Sequence, residues 1–283
     1  MRDLTRTLKD ATDYLNQNHI ELASLDARLI VAHCLEMTPL ELITEYDQLV
    51  SPEQQDQIQA YLNRRIAYEP IASLFGEKEF WSLSFKVTDD TLCPRPDSET
   101  LIEQIIKDYP DHNSPLKILD LGTGTGCLLL TLLYEYPHAR GVGLDASTAA
   151  LKVAQFNQER HNLRERSTLL QSNWTSALEA DQEFDIIICN PPYIPLRDKD
   201  TLAPEVTKHD PHQALFAGED GLDDYRLLSQ QLHHHLKAGG HIYLEIGYDQ
   251  ADAVSQIFKQ VKGCQIDVYK DLAAQDRCLR IQY

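Results

Sequence analysis

Along this chain the spacing of apolar positions changes character twice. Residues 1 to about 75 carry helical repeats: Leu4, Leu8, Ala11 and Leu15, then Leu22, Leu25, Leu29 and Ala32, and finally Ile58, Leu62 and Ile66. Two helix starts are marked. Thr38-Pro39-Leu40-Glu41 and Ser51-Pro52-Glu53-Gln54 each combine a capping hydroxyl, a proline at the first helical position and Glu or Gln at the third. A small all-α domain is predicted over 1–75, placed to dock a macromolecular substrate or simply to add stability. From Gly76 the texture becomes aromatic and alternating. Phe80-Trp81-Ser82-Leu83-Ser84-Phe85-Lys86-Val87 reads as a hairpin. The connector Leu92-Cys93-Pro94-Arg95-Pro96 is stiffened by its prolines. Asp97 or Ser98 then caps a helix through Leu101, Ile102, Ile105 and Ile106.

Beyond the connector, strands alternate with helices. Strand patterns occur at 116–121, 141–144, 167–170, 184–189, 241–246, 265–269 and 277–281, with helices following Gly126, Ser147, Gly221 and Ala251. That order predicts an α/β fold, a doubly wound and mostly parallel seven-stranded sheet over 97–283, joined to the helical domain through a hairpin and linker at 76–96. The helix after Gly221 is expected to run to Leu236, leaving His233-His234-His235 solvated at its end. Near the N-terminus, His33 beside Cys34 reads as core packing.

The stretch Phe184-Asp185-Ile186-Ile187-Ile188-Cys189 has the unbroken apolar run of a parallel strand covered on both faces. It stops in Asn190-Pro191-Pro192-Tyr193, where two residues without an N–H must end the ladder. Ligands of open α/β sheets bind at such carboxyl ends. An amide or exocyclic amine is a poor nucleophile because its nitrogen lone pair is delocalised. Accepting hydrogen bonds from both of its N–H groups orients that lone pair toward an electrophile. The Asn190 oxygen and the Pro191 carbonyl are suitable acceptors, and the Tyr193 ring can lie against the planar group. The plain alternative is a strand-ending turn.

Upstream, strand 116–121 runs into Gly122-Thr123-Gly124-Thr125-Gly126 and then a helix. A dinucleotide fold requires G-x-G-x-x-G/A, whereas here the third glycine comes one place early and Cys127 stands in its position. Asp-x-Gly-x-Gly-x-Gly suits a ligand without phosphate, such as S-adenosylmethionine, with Asp120 placed to meet its ammonium. Asp145, ending the next strand, is placed for two ribose hydroxyls, a role that fits NAD equally well. Trp174 falls where an adenine ring needs a flat neighbour, and an ordinary packed tryptophan reads the same way. Arg95 suits an anion, a carbonyl near the site or a structural ion pair. Residues 194–220 read as a lid or substrate-facing loop.

Composition narrows the partner classes. With 26 Lys and Arg against 44 Asp and Glu, the net charge is −18. The excess is spread along the chain: residues 1–75 hold 6 basic and 12 acidic side chains, and the rest hold 20 and 32. A phosphate backbone as main partner calls for the opposite sign. The polar start Met1-Arg2-Asp3-Leu4-Thr5-Arg6 lacks a signal sequence, and no apolar run reaches membrane-spanning length. Six scattered cysteines, with no C-x-x-C pair, read as reduced thiols of a cytoplasmic protein. His209-Asp210-Pro211-His212 and the lone His33 lack the partners of a metal site, so no metal is expected.

The motifs together resemble one family. Leu92 through Glu99, Asp120 through Gly126, Asn190 through Tyr193, Ala214-Leu215 with Gly218 through Leu222, Glu245-Ile246-Gly247, and Asp271 with Asp276-Arg277 occur in the order of the release factor glutamine methyltransferases, the PrmC/HemK family. Essentially the whole chain is covered. Ser98 stands where Thr is usual, Asp210 where Glu is expected and Ala274 where Gly is common. Asn-Pro-Pro-Tyr is shared with DNA adenine and ribosomal RNA guanine enzymes, while the Pro-Arg-Pro and Gly-Leu-Asp pieces are more specific. The resemblance implies a class I methyltransferase sheet and methyl transfer from S-adenosylmethionine to the glutamine amide of the Gly-Gly-Gln motif in peptide chain release factors. By similarity, Gly122, Thr123, Gly124, Thr125, Gly126, Asp145, Trp174 and Asn190 line the cofactor. Asn190, Pro191, Pro192 and Tyr193 hold the glutamine, with Asn190, Pro191 and Tyr193 carrying the chemistry. A monomer that binds no nucleic acid directly is expected. The rivals are a nucleic-acid amino-methyltransferase with the same core and a non-catalytic scaffold.

Overall fold

The computed structural model describes residues 2–38, 40–44 and 48–283. Contacts divide the chain into two units, Met1–Gly76 with Ala203–His209, and Glu77–Leu202 with Asp210–Tyr283.

The first unit contains strand β1 (Arg2–Asp3), helices α1 (Leu4–Gln17), α2 (Ala23–Leu35) and α3 (Glu41–Thr44), strand β2 (Leu49–Val50), and helices α4 (Pro52–Ile66) and α5 (Ile71–Phe75). The α4 start is the capping box expected from Ser51 and Gln54. At the α3 start the Thr38 hydroxyl accepts from the Glu41 N–H at 3.2 Å, while Pro39 lies outside the described residues. Helix α2 corrects the sequence reading. Leu22 and Leu25 are 62% and 51% exposed; Ala32 is buried as expected, but the rest of the buried face is Ala23, Asp26, Ala27, Ile30, Val31, Cys34 and Leu35. The inward carboxylate of Asp26 accepts from Arg65 Nε at 2.7 Å, and the Arg65 Nη2 reaches Glu205. A charge that is paired inside the core looks like a surface position in a hydropathy pattern. His33 is exposed, contrary to the packing reading, with its ring stacked 4.1 Å from that of Phe75.

In the second unit, β3 (Glu77–Phe80) and β4 (Leu83–Lys86) form the hairpin. Helix α6 (Glu99–Asp108) is followed by β5 (Lys117–Leu121), α7 (Cys127–Glu135), β6 (Arg140–Asp145), α8 (Thr148–Arg160), β7 (Ser167–Gln171) and β8 (Phe184–Cys189). Helix α9 (Pro204–His209), drawn from the loop after β8, packs with the first unit. Helix α10 (Asp223–Gln231), β9 (Leu236–Glu245), α11 (Ala251–Val261), β10 (Gln265–Lys270) and β11 (Asp276–Gln282) complete the chain. The seven-stranded sheet has the order β10-β11-β9-β8-β5-β6-β7. Strands β5 to β9 pair in parallel, and β11 runs antiparallel to both neighbours.

Strand alternation sorts the core. Ile186, Ile188 and Tyr243 join the cluster under α6 and α7, while Ile187, Cys189, Ile242 and Leu244 join the cluster under α10 and α11. By the same alternation Asp120 and Glu245 close the α6–α7 face at the carboxyl ends of β5 and β9. Helix α10 ends at Gln231, five residues short of the expected Leu236, because a 3₁₀ turn at Leu232–His234 leads straight into β9. Only His234 of the histidine tract is exposed. His235 is buried with its Nδ1 at 2.9 Å from the Gln182 carbonyl. Among the described residues no helix is long and apolar enough to cross a membrane, and no cluster of three His, Cys, Asp or Glu is suited to a metal.

Candidate active site

The site is built at the carboxyl ends of β5, β6 and β8. Gly122, Gly124 and Gly126 take φ of +69°, +53° and +81°, a region that only glycine enters freely. These turns bring the Gly124 N–H to the Asp145 Oδ2 at 2.8 Å, while the Ser147 N–H reaches Oδ1 at 2.9 Å. Asp145 thereby ties the glycine loop to the end of the neighbouring strand. Beneath the loop, Asp120 is 1% exposed and its Oδ2 accepts from the Thr123 hydroxyl at 2.6 Å. Its Oδ1 is buried with no hydrogen-bond partner among the described residues. Burial holds this carboxyl up at about 7, with the charge of Asp145 adding to the effect.

Asn190, half-buried, follows β8 directly. Its Nδ2 donates to the Ser98 Oγ at 3.4 Å, and the Ser98 hydroxyl donates to the Glu245 Oε2 at 2.5 Å. Ser98 therefore does not cap α6 as the sequence suggested, and neither Asp97 nor Ser98 makes a side-chain cap there. Glu245 is 1% exposed. Burial raises its carboxyl to about 7 against the opposing pull of Ser98 and Arg277. Burial also pushes the Tyr193 hydroxyl up to about 12, so it stays protonated.

A cavity of about 320 Å³ lies between these groups, within the size range of small-molecule sites. Gly122, Thr123, Gly124, Thr125, Asp145, Trp174, Asn190 and Pro192 all line it. Trp174 adopts φ +51° and lines the cavity together with Asp224. Its ring closes on the glycine loop: a Cβ added at Gly122 would stand 3.9 Å from Trp174 Cζ3.

Three of the anticipated residues sit elsewhere. Gly126 is the N-cap of α7, Pro191 is buried off the cavity, and Tyr193 packs against the α10–α11 cluster. The Tyr193 carbonyl accepts from Gln250 Nε2 at 3.0 Å. Conversely, Cys93, Pro94, Ser98, Gln213 and Asp224 line the cavity without having been assigned to it, beside Arg95, which had been read as near the site. The Pro-Arg-Pro connector was a usable signal for three of them, whereas nothing local marks Asp224. Arg95 forms the structural ion pair, its Nη2 2.7 Å from Asp210 Oδ2.

A parallel sheet with one reversed strand near its edge, a glycine loop after β5 and an acidic end to β6 define a class I methyltransferase fold. Family models agree along the chain: the PrmC N-terminal domain matches residues 6–76 and the methyltransferase small domain matches 96–214. The release factor glutamine methyltransferase of Caulobacter vibrioides is 39% identical over 274 residues, spanning 97% of this chain and 94% of the relative. That of Cereibacter sphaeroides is 39% identical over 271 residues, spanning 95% of each. The crystal structure of a methyltransferase from Pyrococcus furiosus shares the fold, at TM-score 0.51 and 18% identity over 79% of this chain and 95% of that one. The chain belongs to the release factor glutamine methyltransferase family.

Proposed function

We propose that this protein transfers the methyl group of S-adenosylmethionine to the side-chain amide nitrogen of the glutamine in the Gly-Gly-Gln motif of peptide chain release factors. The cavity suits that cofactor. Its floor is glycine backbone, which lets a ligand lie against the main chain. Asp145 has lone pairs left for ribose hydroxyls beyond the two amides it accepts. Beneath the loop, the unpartnered Asp120 Oδ1 is a buried carboxyl atom that an ammonium group, directly or through water, would hold in its charged form. Trp174 and the apolar Leu144 and Ala150 offer a flat wall for a purine. Among the described lining residues Arg95 is the single cation, and it is held by Asp210, which argues against a phosphate ligand.

When bound, the cofactor contributes a methyl group on a sulfonium, a strong electrophile. The chain's part is positioning. The oxygen of Asn190 accepts one N–H of the glutamine amide, and the other N–H is left for a main-chain carbonyl of the Pro191-Pro192 turn, of which Pro192 lines the cavity. The nitrogen lone pair is then aimed along the line of displacement. The proton becomes acidic only after methylation, so no strong general base is required. The observation that carries this reading is Asn190 at the cavity, with its nitrogen already committed to Ser98 and its oxygen left as the acceptor.

Asn190→Ala tests it. Turnover should fall by roughly 100-fold or more, the scale of losing one oriented polar contact to the reacting group, while cofactor affinity by calorimetry stays within a few-fold. Near-normal turnover would remove Asn190 from the chemistry.

A further inference from the structure

Asn190 carries an oxygen and an NH₂ group of nearly the same shape, and only one orientation presents an acceptor to an amide substrate. Something must choose between them. The choice is visible in a relay beneath the residue. The Ser98 hydroxyl has a single proton. It lies 2.5 Å from the Glu245 Oε2, the separation of an O–H donating to a carboxylate. With its proton spent there, Ser98 can only accept from Asn190, and the atom of Asn190 that faces it is Nδ2, at 3.4 Å. A donor is thus drawn to Ser98, and the acceptor is turned toward the cavity.

The relay is built, not incidental. Ser98 and Glu245 are 3% and 1% exposed, and they come from positions 147 residues apart. Glu245 ends β9 opposite Cys278 of β11, and Leu244 just before it pairs with Cys189 of β8. The Glu245 carbonyl also accepts from the Tyr225 hydroxyl at 2.8 Å. Next to it, Arg277 is held by Asp271 at 3.1 Å and by the Ile246 carbonyl at 3.1 Å. Nothing in the packing of α6 requires a hydroxyl at Ser98, since it makes no helix cap.

We propose that Ser98 and Glu245 are positioning residues that set the amide orientation of Asn190, so that its oxygen faces the nitrogen to be methylated. This rests on the role assigned to Asn190 above. Neither residue touches the reacting atoms; Ser98 acts through Asn190, and Glu245 acts through Ser98.

The test compares Ser98→Ala, Ser98→Thr and Asn190→Ala in the full-length protein, with intact release factor as substrate. Ser98→Ala should lower kcat about tenfold, the scale of one oriented hydrogen bond, with KM for the release factor and cofactor Kd within twofold of wild type. Ser98→Thr, which restores the hydroxyl, should recover kcat. A Ser98→Ala kcat within twofold of wild type, beside an inactive Asn190→Ala, overturns the relay and leaves the role of Asn190 standing. Equal losses in Ser98→Ala and Ser98→Thr also overturn it, because they show that volume matters and not the hydroxyl. Normal turnover in Asn190→Ala would sink the relay and the reading of the site together.

Discussion

Gly221 holds the turn after β8 in place, and replacing it by alanine should damage both stability and transfer. Its φ is +76°, so any Cβ is strained there by about 1 kcal/mol. The added atom would also stand 2.3 Å from the Tyr193 carbonyl oxygen, 3.0 Å from Gln250 Nε2 and 3.0 Å from Pro195 Cδ. The first of these is backbone and cannot rotate away. To relieve the clash, the Tyr193 carbonyl must move, and it is fixed by the 3.0 Å hydrogen bond from Gln250. Overpacking of this kind costs about 1–3 kcal/mol, so the total comes to roughly 2–4 kcal/mol. For a unit of this size, that corresponds to a fall in Tm of about 5–15 °C. Gly239→Ala is the matched control, with φ +80° and nothing within 4 Å of the added Cβ. It carries only the backbone strain, about 1 kcal/mol, and a fall of roughly 2–4 °C. Thermal unfolding by circular dichroism reads both, and methyl transfer below the transition reads the displaced turn. Equal shifts in the two variants would refute the steric argument and leave only the backbone term.

Two further predictions follow from local geometry. Ala274 sits at φ +60°, where its Cβ is strained, so Ala274→Gly should raise Tm by roughly 2–4 °C, despite the extra freedom glycine gives the unfolded chain; no gain would show that the turn tolerates alanine. Transfer should weaken as pH falls through about 7, because burial, offset by Ser98 and Arg277, raises Glu245 to that value. The groups around it are Arg277, Asp97 and Arg95, together with Tyr193, which stays neutral. A carboxyl raised in this way is ionised above its pKa and neutral below it. The acceptor for Ser98 is therefore intact at pH 8, and only about a tenth of it remains one unit below the pKa. Glu245→Gln should flatten that acid limb of kcat; an unchanged limb would assign it to another group, such as Asp120.

Sequence was most informative where two independent signals met. The apolar run 184–189 ended in two prolines, and β8 stops at Cys189 with Asn190 at the cavity. Ser51 was followed by Pro52 and Gln54, and the capping box is there. Four features were hidden for physical reasons. The buried face of α2 includes Asp26, whose charge is cancelled by Arg65 from another helix, so the pattern pointed to the wrong side. Ser98 has the right position for a cap, but its hydroxyl is taken by a carboxylate 147 residues away. His235 looked solvated, but it is buried with its Nδ1 at the carbonyl of Gln182, 53 residues away. The hairpin turn at Trp81 and Ser82 has φ of +51° and +61° without a glycine. Glu99 accepts from the Trp81 N–H at 2.9 Å and Glu135 from its indole at 2.8 Å, and both partners lie outside the hairpin. In each case the deciding partner is remote in sequence.

What remains to be measured directly is whether this cavity methylates a glutamine amide presented by a protein. The most direct measurement uses S-adenosylmethionine labelled in its methyl group. Intact release factor, the same factor with Gln→Ala in its Gly-Gly-Gln motif, and total RNA are each offered to the enzyme. Label is expected on the intact factor, none on the variant and none on RNA. Label on RNA, or equal label on both forms of the factor, would contradict it.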